Sequence, residues 1–337
     1  MKKIIGLSCG RKNGNSEIML KAAAQGAAEL GVETEIIRAM SLKVLPCKGC
    51  WACLTTGRCV AKDDIDWILE KTCLEECGLI VSVPCYHVRA NSILTSINDK
   101  MNHLFQKDAD ILIKTKVGGI IGVGGSGYDA WASLNLPLIN IFVQHTRVLV
   151  DQIQINFCAL QEWNMWMQDK KITPEHINEL RVEDTDYDEL FERWPQKYDL
   201  MGFQKKAVER SRQLGRNVAK AMSMPIEKVK YVGEKYGVAC PVCHCNVLVV
   251  PKDFPYVVCP VCSIRGKVTT RNGKLKVRWN KADTQNPRFS PDLVRHHFAW
   301  LGRHNGGDFS AQNKLREISK EFEVYSKIIS PEKVSEK

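Results

Sequence analysis

The chain predicts an α/β fold, a doubly wound parallel sheet followed by a helical segment and a small cysteine-held module. Two apolar runs carry the prediction. Gly78–Pro84 and Lys116–Val123 are almost uninterrupted by polar residues, as strands are when helices cover both faces of a parallel sheet. The order strand, loop, helix then recurs four or five times, which is the pattern of a doubly wound sheet.

The elements follow in sequence. Lys3–Ser8 is a short β-branched strand that ends in the polar loop Ser8–Ser16. Glu17 to about Leu30 has helical periodicity, and Gly31 stops it. Thr34–Arg38 alternates as a strand, and a cysteine-rich loop follows. Asp63–Lys71 reads as a helix, Gly78–Pro84 as a buried strand, and Ser92 to about Phe105 as a helix. Lys116–Val123 is the next strand, and Val148–Val150 marks a last one. The loops at 8–16, 84–91 and 124–129 each come directly after a strand, so they meet on the carboxyl edge of the sheet, where such folds bind ligands.

Beyond the sheet, 156–228 reads as a helical extension and 229–281 as the cysteine-held module, with Val229–Val232 strand-like. Residues 282–337 read as a polar tail with one helix from Ala311 to about Ile329. The sheet domain itself is placed at 1–155. Asn272-Gly273 between two alternating runs predicts a hairpin with a type I′ turn.

The 337 residues are 44% hydrophobic and 26% charged, values of a soluble globular protein. The amino-terminal apolar run is too short for a signal peptide, and no window is long enough to span a membrane. A cytoplasmic protein without a membrane partner is expected. The net charge of +10 is concentrated: residues 205–281 hold 17 Lys/Arg against 4 Asp/Glu. Such a patch suits an anionic ligand or an acidic protein. Nucleic acid is not the expected partner, because a solvated basic hairpin is the commoner meaning of Lys267, Arg271, Lys274, Lys276 and Arg278.

Fourteen cysteines in a chain of this size and compartment point to metals rather than disulfides. Cys47, Cys50, Cys53 and Cys59 follow the spacing C-x2-C-x2-C-x5-C. Four closely spaced thiolates suit an iron–sulfur cluster of the 4Fe–4S type better than zinc, whose ligands usually form two separated pairs. Zinc and unmetallated thiols are the alternatives. Cys240, Cys243, Cys259 and Cys262 do form two pairs, C-x2-C-x15-C-x2-C, the pattern of a zinc ribbon. Rubredoxin-like iron competes there, and Cys245 is either a spare thiol or a replacement for Cys243.

Ser8, Arg11, Asn13, Asn15 and Ser16 place hydroxyls, amides and a guanidinium just before a helix, where an anion is favoured. The bland alternative is a polar turn in which Asn15 or Ser16 caps the helix. Neither a P-loop nor G-x-G-x-x-G is present.

Ser8-x-x-Arg11-x-x-Gly14-Asn15-Ser16 resembles the FMN phosphate loop of the flavodoxin-like NAD(P)H-dependent FMN reductases. The cysteine run, continuing through Gly57-Arg-Cys59 to Asp63-Asp64, resembles the iron–sulfur flavoproteins of that group. The resemblance covers about residues 1–150. It implies that Pro84, Cys85, Tyr86 and His87 border the ribityl chain and ring, and that Gly124, Gly125, Ser126, Gly127 and Tyr128 lie along the ring. It further implies FMN, a 4Fe–4S cluster, NAD(P)H or a ferredoxin-like carrier as redox partner, and a homodimer or higher oligomer. His87 is expected to bind rather than catalyse, and no residue is singled out as catalytic. Reduction of a quinone, nitro compound or similar electrophile is the alternative activity. A redox-responsive nucleic-acid-binding protein is the alternative class.

Overall fold

The structure, a computed structural model, describes residues 2–102, 104, 109–124, 132–156, 205–234, 238–305 and 317–320. The sheet is built from β1 (Lys3–Ser8), β2 (Glu33–Arg38), β3 (Gly78–Tyr86), β5 (Lys116–Gly124) and β6 (Arg147–Asn156), with a short β4 (Arg89–Ala90) folded back on β3. The spatial order is β2-β1-β3-β5-β6, all parallel, with only β4 antiparallel to its neighbour β3. This is the flavodoxin-like order, and its switch point lies between β1 and β3.

Helices α1 (Asn15–Ala28), α2 (Ala52–Thr56), α3 (Ile65–Leu69), α4 (Ser92–Asp99), α5 (Asn135–Thr146) and α6 (Lys205–Ala221) accompany the sheet. One face is filled by Ile65, Ile68, Leu94, Ile97, Ile139 and Phe142 against the strands. The other is filled by Met19, Leu20 and Ala23 from α1 and by Leu214 and Val218 from α6. Burial on both faces accounts for the unbroken apolar runs of β3 and β5.

Several expectations need correction. The closing helix of the sheet is α6, which follows residues 157–204, themselves outside the described set. The helical extension therefore contributes an integral layer of the α/β fold. Local sequence could not show this, because α6 declares its place only by packing on α1. Val229–Val232 is not a strand; it makes one backbone bond to the sheet, from Val232 N–H to the Val150 carbonyl at 2.8 Å. A short helix, α7 (Lys281–Gln285), and then α8 (Pro291–Asn305) replace the irregular start of the tail. Of the helix expected at 311–329, only 317–320 lie within the described residues, and they are helical. The helix at Asp63–Lys71 begins at Ile65 and ends in a π-helical turn, Glu70–Leu74.

The hairpin of β8 (Arg265–Arg271) and β9 (Lys274–Trp279) forms as expected, and a short β7 (Val257–Val258) pairs with β8. Asn272 and Gly273 both have positive φ, 52° and 69°, as a type I′ turn requires. Among the described residues, no helix is long and apolar enough to cross a membrane.

The tightest packing lies between α1 and α6. A methyl group on Gly26 would overlap the Arg212 carbonyl oxygen, and one on Gly215 would overlap that of Ala23. Backbone meets backbone here, so neither helix can yield locally. Asp151 of β6, fully buried, accepts from Arg210 (2.8 Å) and Asn217 (2.8 Å) of α6 and fixes the helix along the sheet. Gly215→Ala is expected to destabilise the fold by about 1–3 kcal/mol through overpacking, read as a lower urea midpoint.

Candidate flavin edge and cysteine centres

At the carboxyl edge of the sheet, β1 ends in Ser8, which is buried, and its Oγ has no hydrogen-bond partner among the described residues. The chain then turns through Cys9 and Gly10, where a Cβ would collide with Ser16 Oγ. Two bonds hold the turn: Cys9 N–H donates to the Ser82 carbonyl (3.0 Å), and Asn91 Nδ2 donates to the Cys9 carbonyl (2.6 Å). Ser82 Oγ donates to the Ser16 carbonyl at 2.7 Å. Gly14, rather than Asn15 or Ser16, is the N-cap of α1, and no side chain caps the helix. Its first-turn N–H groups therefore face the loop without a side-chain acceptor, as an anion site requires. Arg11, Asn13 and Asn15 are exposed around this end, and Ser16 is buried against Gly10. A buried hydroxyl lacking a partner, an uncapped helix and a glycine cradle fit the phosphate of FMN.

Sequence reasoning missed the support beneath this loop. Glu17 is fully buried and takes two bonds from Arg38 (2.9 and 3.1 Å) and one from Lys21 (2.8 Å). Lys21 also donates to Asn13 Oδ1 at 3.1 Å, so the network reaches the loop itself. No local signal marks a salt bridge between α1 and the end of β2. Asn91 was more legible, since it precedes the apolar helix as an N-cap and accepts from Leu94 N–H at 3.3 Å.

Pro84 and Cys85 are half-buried, whereas Tyr86 and His87 are exposed. Burial pushes the Cys85 thiol upward, away from thiolate reactivity. His87 and Val88 both have positive φ, 48° and 72°, and make the tight turn between β3 and β4. A valine there is strained, and strain of this kind collects at functional edges. Gly124 ends β5 on the same edge, while Gly125, Ser126, Gly127 and Tyr128 lie outside the described residues.

The loop carrying Cys47, Cys50, Cys53 and Cys59 closes on itself. Asp64 takes Lys43 N–H at 2.7 Å and Asp63 takes Leu45 N–H at 3.0 Å, joining the two ends of the loop. All four cysteines line one cavity of about 280 Å³, with Trp51 and Lys100 also on its wall. Cys47 and Cys50 are exposed, and Cys53 and Cys59 half-buried. Burial raises the Cys53 thiol, and the nearby Cys59, Cys47 and Cys50 raise it further. Four thiols grouped around one cavity are a soft donor set suited to a metal centre. A single cavity walled by all four fits a small iron–sulfur cluster.

The second centre has another geometry. The sulfurs of Cys240, Cys243, Cys259 and Cys262 are buried and lie within 4.8 Å of one another, with Cys243 and Cys259 at 3.5 Å. Tetrahedral thiolates at about 2.3 Å from one zinc ion stand about 3.8 Å apart, so this set suits a single ion. The two Cys-Pro-Val-Cys knuckles share two backbone bonds. His244 N–H reaches the Cys240 carbonyl and Ser263 N–H the Cys259 carbonyl, both at 2.9 Å. His244 and Ser263 share φ of 58°. Cys240 N–H reaches the Cys245 carbonyl as Cys259 N–H reaches that of Ile264. Cys245 thus occupies the place of Ile264, a packing position, outside the four-sulfur set.

The module is seated on the sheet domain. His145 packs on Phe289 (4.0 Å), His244 stacks on Tyr231 (3.6 Å), and Gln152 Nε2 donates to the His244 carbonyl (3.0 Å). Register sets Lys267 opposite Arg278 and Arg271 opposite Lys274, with Lys276 opposite Thr269, so the five cations share one face of the hairpin.

The fold and this loop-bearing edge define the class, a flavodoxin-like flavoprotein. Residues 2–158 match the family described as NADPH-dependent FMN reductase. An iron–sulfur flavoprotein of Methanocaldococcus jannaschii is 32% identical over 152 residues, 44% of this chain and 75% of that protein. An iron–sulfur flavoprotein of Methanosarcina thermophila is 38% identical over 125 residues, covering 37% of this chain and 64% of the relative. A solved flavone reductase shares the fold at a TM-score of 0.66 and 19% identity, over 98% of this chain and 100% of that one. The chain belongs to the iron–sulfur flavoproteins of the NADPH-dependent FMN reductase family, and it is an oxidoreductase.

Arg38 holds the Glu17 carboxyl down to about 2, against the opposing effect of burial. The depressed value means stability that is present above the ordinary 4.5 and lost as pH falls through about 2. Glu17→Gln is expected to cost on the order of 1–3 kcal/mol at pH 6, and urea titrations should show that cost shrinking between pH 4.5 and 2.

Proposed function

We propose that this protein is an FMN-dependent oxidoreductase that relays electrons between its flavin and a 4Fe–4S cluster, with NAD(P)H or a ferredoxin-like carrier as redox partner. The cavity walled by Cys47, Cys50, Cys53 and Cys59 carries the reading, because it supplies four thiols at one place in a chain whose family binds FMN. FMN supplies the exchange between two-electron and one-electron chemistry that joins a hydride donor to a cluster.

The protein's own residues bind and orient. Ser8, Arg11, Asn13, Asn15 and Ser16, with the first turn of α1, hold the phosphate. Pro84, Cys85, Tyr86 and His87 would border the ribityl chain and ring, and Gly124, Gly125, Ser126, Gly127 and Tyr128 would lie along the ring. Zinc held by Cys240, Cys243, Cys259 and Cys262 is structural, since four buried thiols leave no open coordination position. A second reading, direct reduction of a quinone, nitro compound or similar electrophile, is favoured by the exposure of Tyr86 and His87 beside the flavin edge. Stopped-flow oxidation of the reduced flavin by such compounds tests it.

Visible spectra of anaerobically purified protein should show flavin bands over a broad absorption that bleaches on reduction. Cys50→Ser should remove the broad absorption and the iron while leaving flavin bound. Loss of flavin as well would sink the separation of the two sites. Removal of the second metal by a strong chelator should unfold the cysteine module, seen as lost amide protection from Val257 to Trp279 with the sheet domain's protection retained. Metal analysis of Cys50→Ser protein should return about one zinc per chain, and iron in its place would make that centre rubredoxin-like.

A further inference from the structure

We propose that Lys100 is the cation that raises the reduction potential of the cluster, with Asp63 as its positioning residue; this rests on the cluster assignment above. Lys100 lies at the end of α4, and its side chain is 2% exposed. It lines the cysteine cavity and forms an ion pair with the Asp63 carboxylate, itself 1% exposed. Asp63 is not part of the cavity wall. Lys100 is thus the member of the pair that reaches the cavity wall, and Asp63 holds its ammonium from outside that wall.

The carboxylate is held in turn. Besides Lys100, it accepts Leu45 N–H at 3.0 Å and Ile65 N–H at 3.4 Å, so it is anchored at both ends of the cysteine loop. The other charges on the wall, Lys48, Lys62 and Asp99, are exposed. Water and salt screen those, whereas a buried charge keeps its field. Four thiolates leave the cluster site negative, and reduction adds one further negative charge. A buried cation at the wall favours the reduced form over the oxidised one, which is a raised potential.

The same helix serves both centres. Asn91, the N-cap of α4, holds the Cys9 carbonyl of the phosphate loop, and Lys100 follows the helix's last residue. Eight residues at 1.5 Å each make a strut of about 12 Å. Flavin loop and cluster wall are thereby fixed to one rigid element.

The test is an anaerobic redox titration of the full-length, cofactor-loaded protein, following flavin by absorbance and cluster by electron paramagnetic resonance. Lys100→Met should lower the cluster midpoint by at least a tenfold change in the oxidised-to-reduced ratio, 59 mV for a one-electron couple. The flavin midpoint should stay. Asp63→Asn should move the cluster the other way, and Lys100→Arg should restore it. Opposite signs are what a purely structural role does not produce. Should Lys100→Met lose its iron, the double variant Asp63→Asn/Lys100→Met leaves no buried charge unpaired. Its cluster should still titrate below wild type, because Lys100 lines the cavity and Asp63 does not. Unchanged midpoints in protein of full iron content overturn the proposal. Wild-type protein that binds no iron overturns the cluster assignment itself, an outcome that iron analysis tells apart.

Discussion

The structure depends on the divergence of the chain on either side of β1. β2 pairs along one side of β1 and β3 along the other, both parallel to it. Their connections leave on opposite faces, and the loops at the carboxyl ends of β1 and β3 part above the sheet. Everything at that edge is arranged around the gap. Buried polar groups are costly to leave without partners. The gap is therefore spanned by Cys9 N–H to the Ser82 carbonyl, by Ser82 Oγ to the Ser16 carbonyl and by Asn91 to the Cys9 carbonyl. Ser8 Oγ and the first turn of α1, which no side chain caps, are the donors left over at this edge among the described residues.

A site at a gap needs rigid walls, and these come from contacts far apart in sequence. α1 carries the polar loop 8–16 at its start and is pressed against α6 through Gly26 and Gly215. Asp151 locks α6 to β6 by buried hydrogen bonds. Glu17 ties α1 to the end of β2 through Arg38. Each of these removes one direction in which the loop could drift. A binding site held to within a fraction of an ångström requires such support from the surrounding shell.

The two cysteine centres show two physical regimes. The amino-terminal loop has partly exposed thiols around an open cavity, and charged residues at its base provide the order. The second set is buried, in two knuckles that repeat the same backbone bonds. A cluster that exchanges electrons must lie near the surface or another redox centre, whereas an ion that only holds a fold is better shielded. The difference in burial agrees with one centre for chemistry and one for structure.

Much was legible in the residues because it is governed by local rules. Apolar continuity reported the two-faced burial of β3 and β5, Asn272-Gly273 reported its turn, and cysteine spacing reported the buried four-sulfur set. The polar loop after β1 declared itself through residue type alone. What the sequence could not show depends on distance through space. Nothing near Lys205 marks α6 as the closing layer of the sheet, since that status comes from packing on Gly26. Nothing near Lys100 or Asp63 marks them as a pair across the cysteine cavity. Aligning the two Cys-Pro-Val-Cys runs already sets Cys245 against Ile264, but only the fold shows that the two share the same backbone bond. Short-range stereochemistry and ligand spacing are written along the chain, whereas burial, ion pairing and helix contact exist only once folding brings remote segments together.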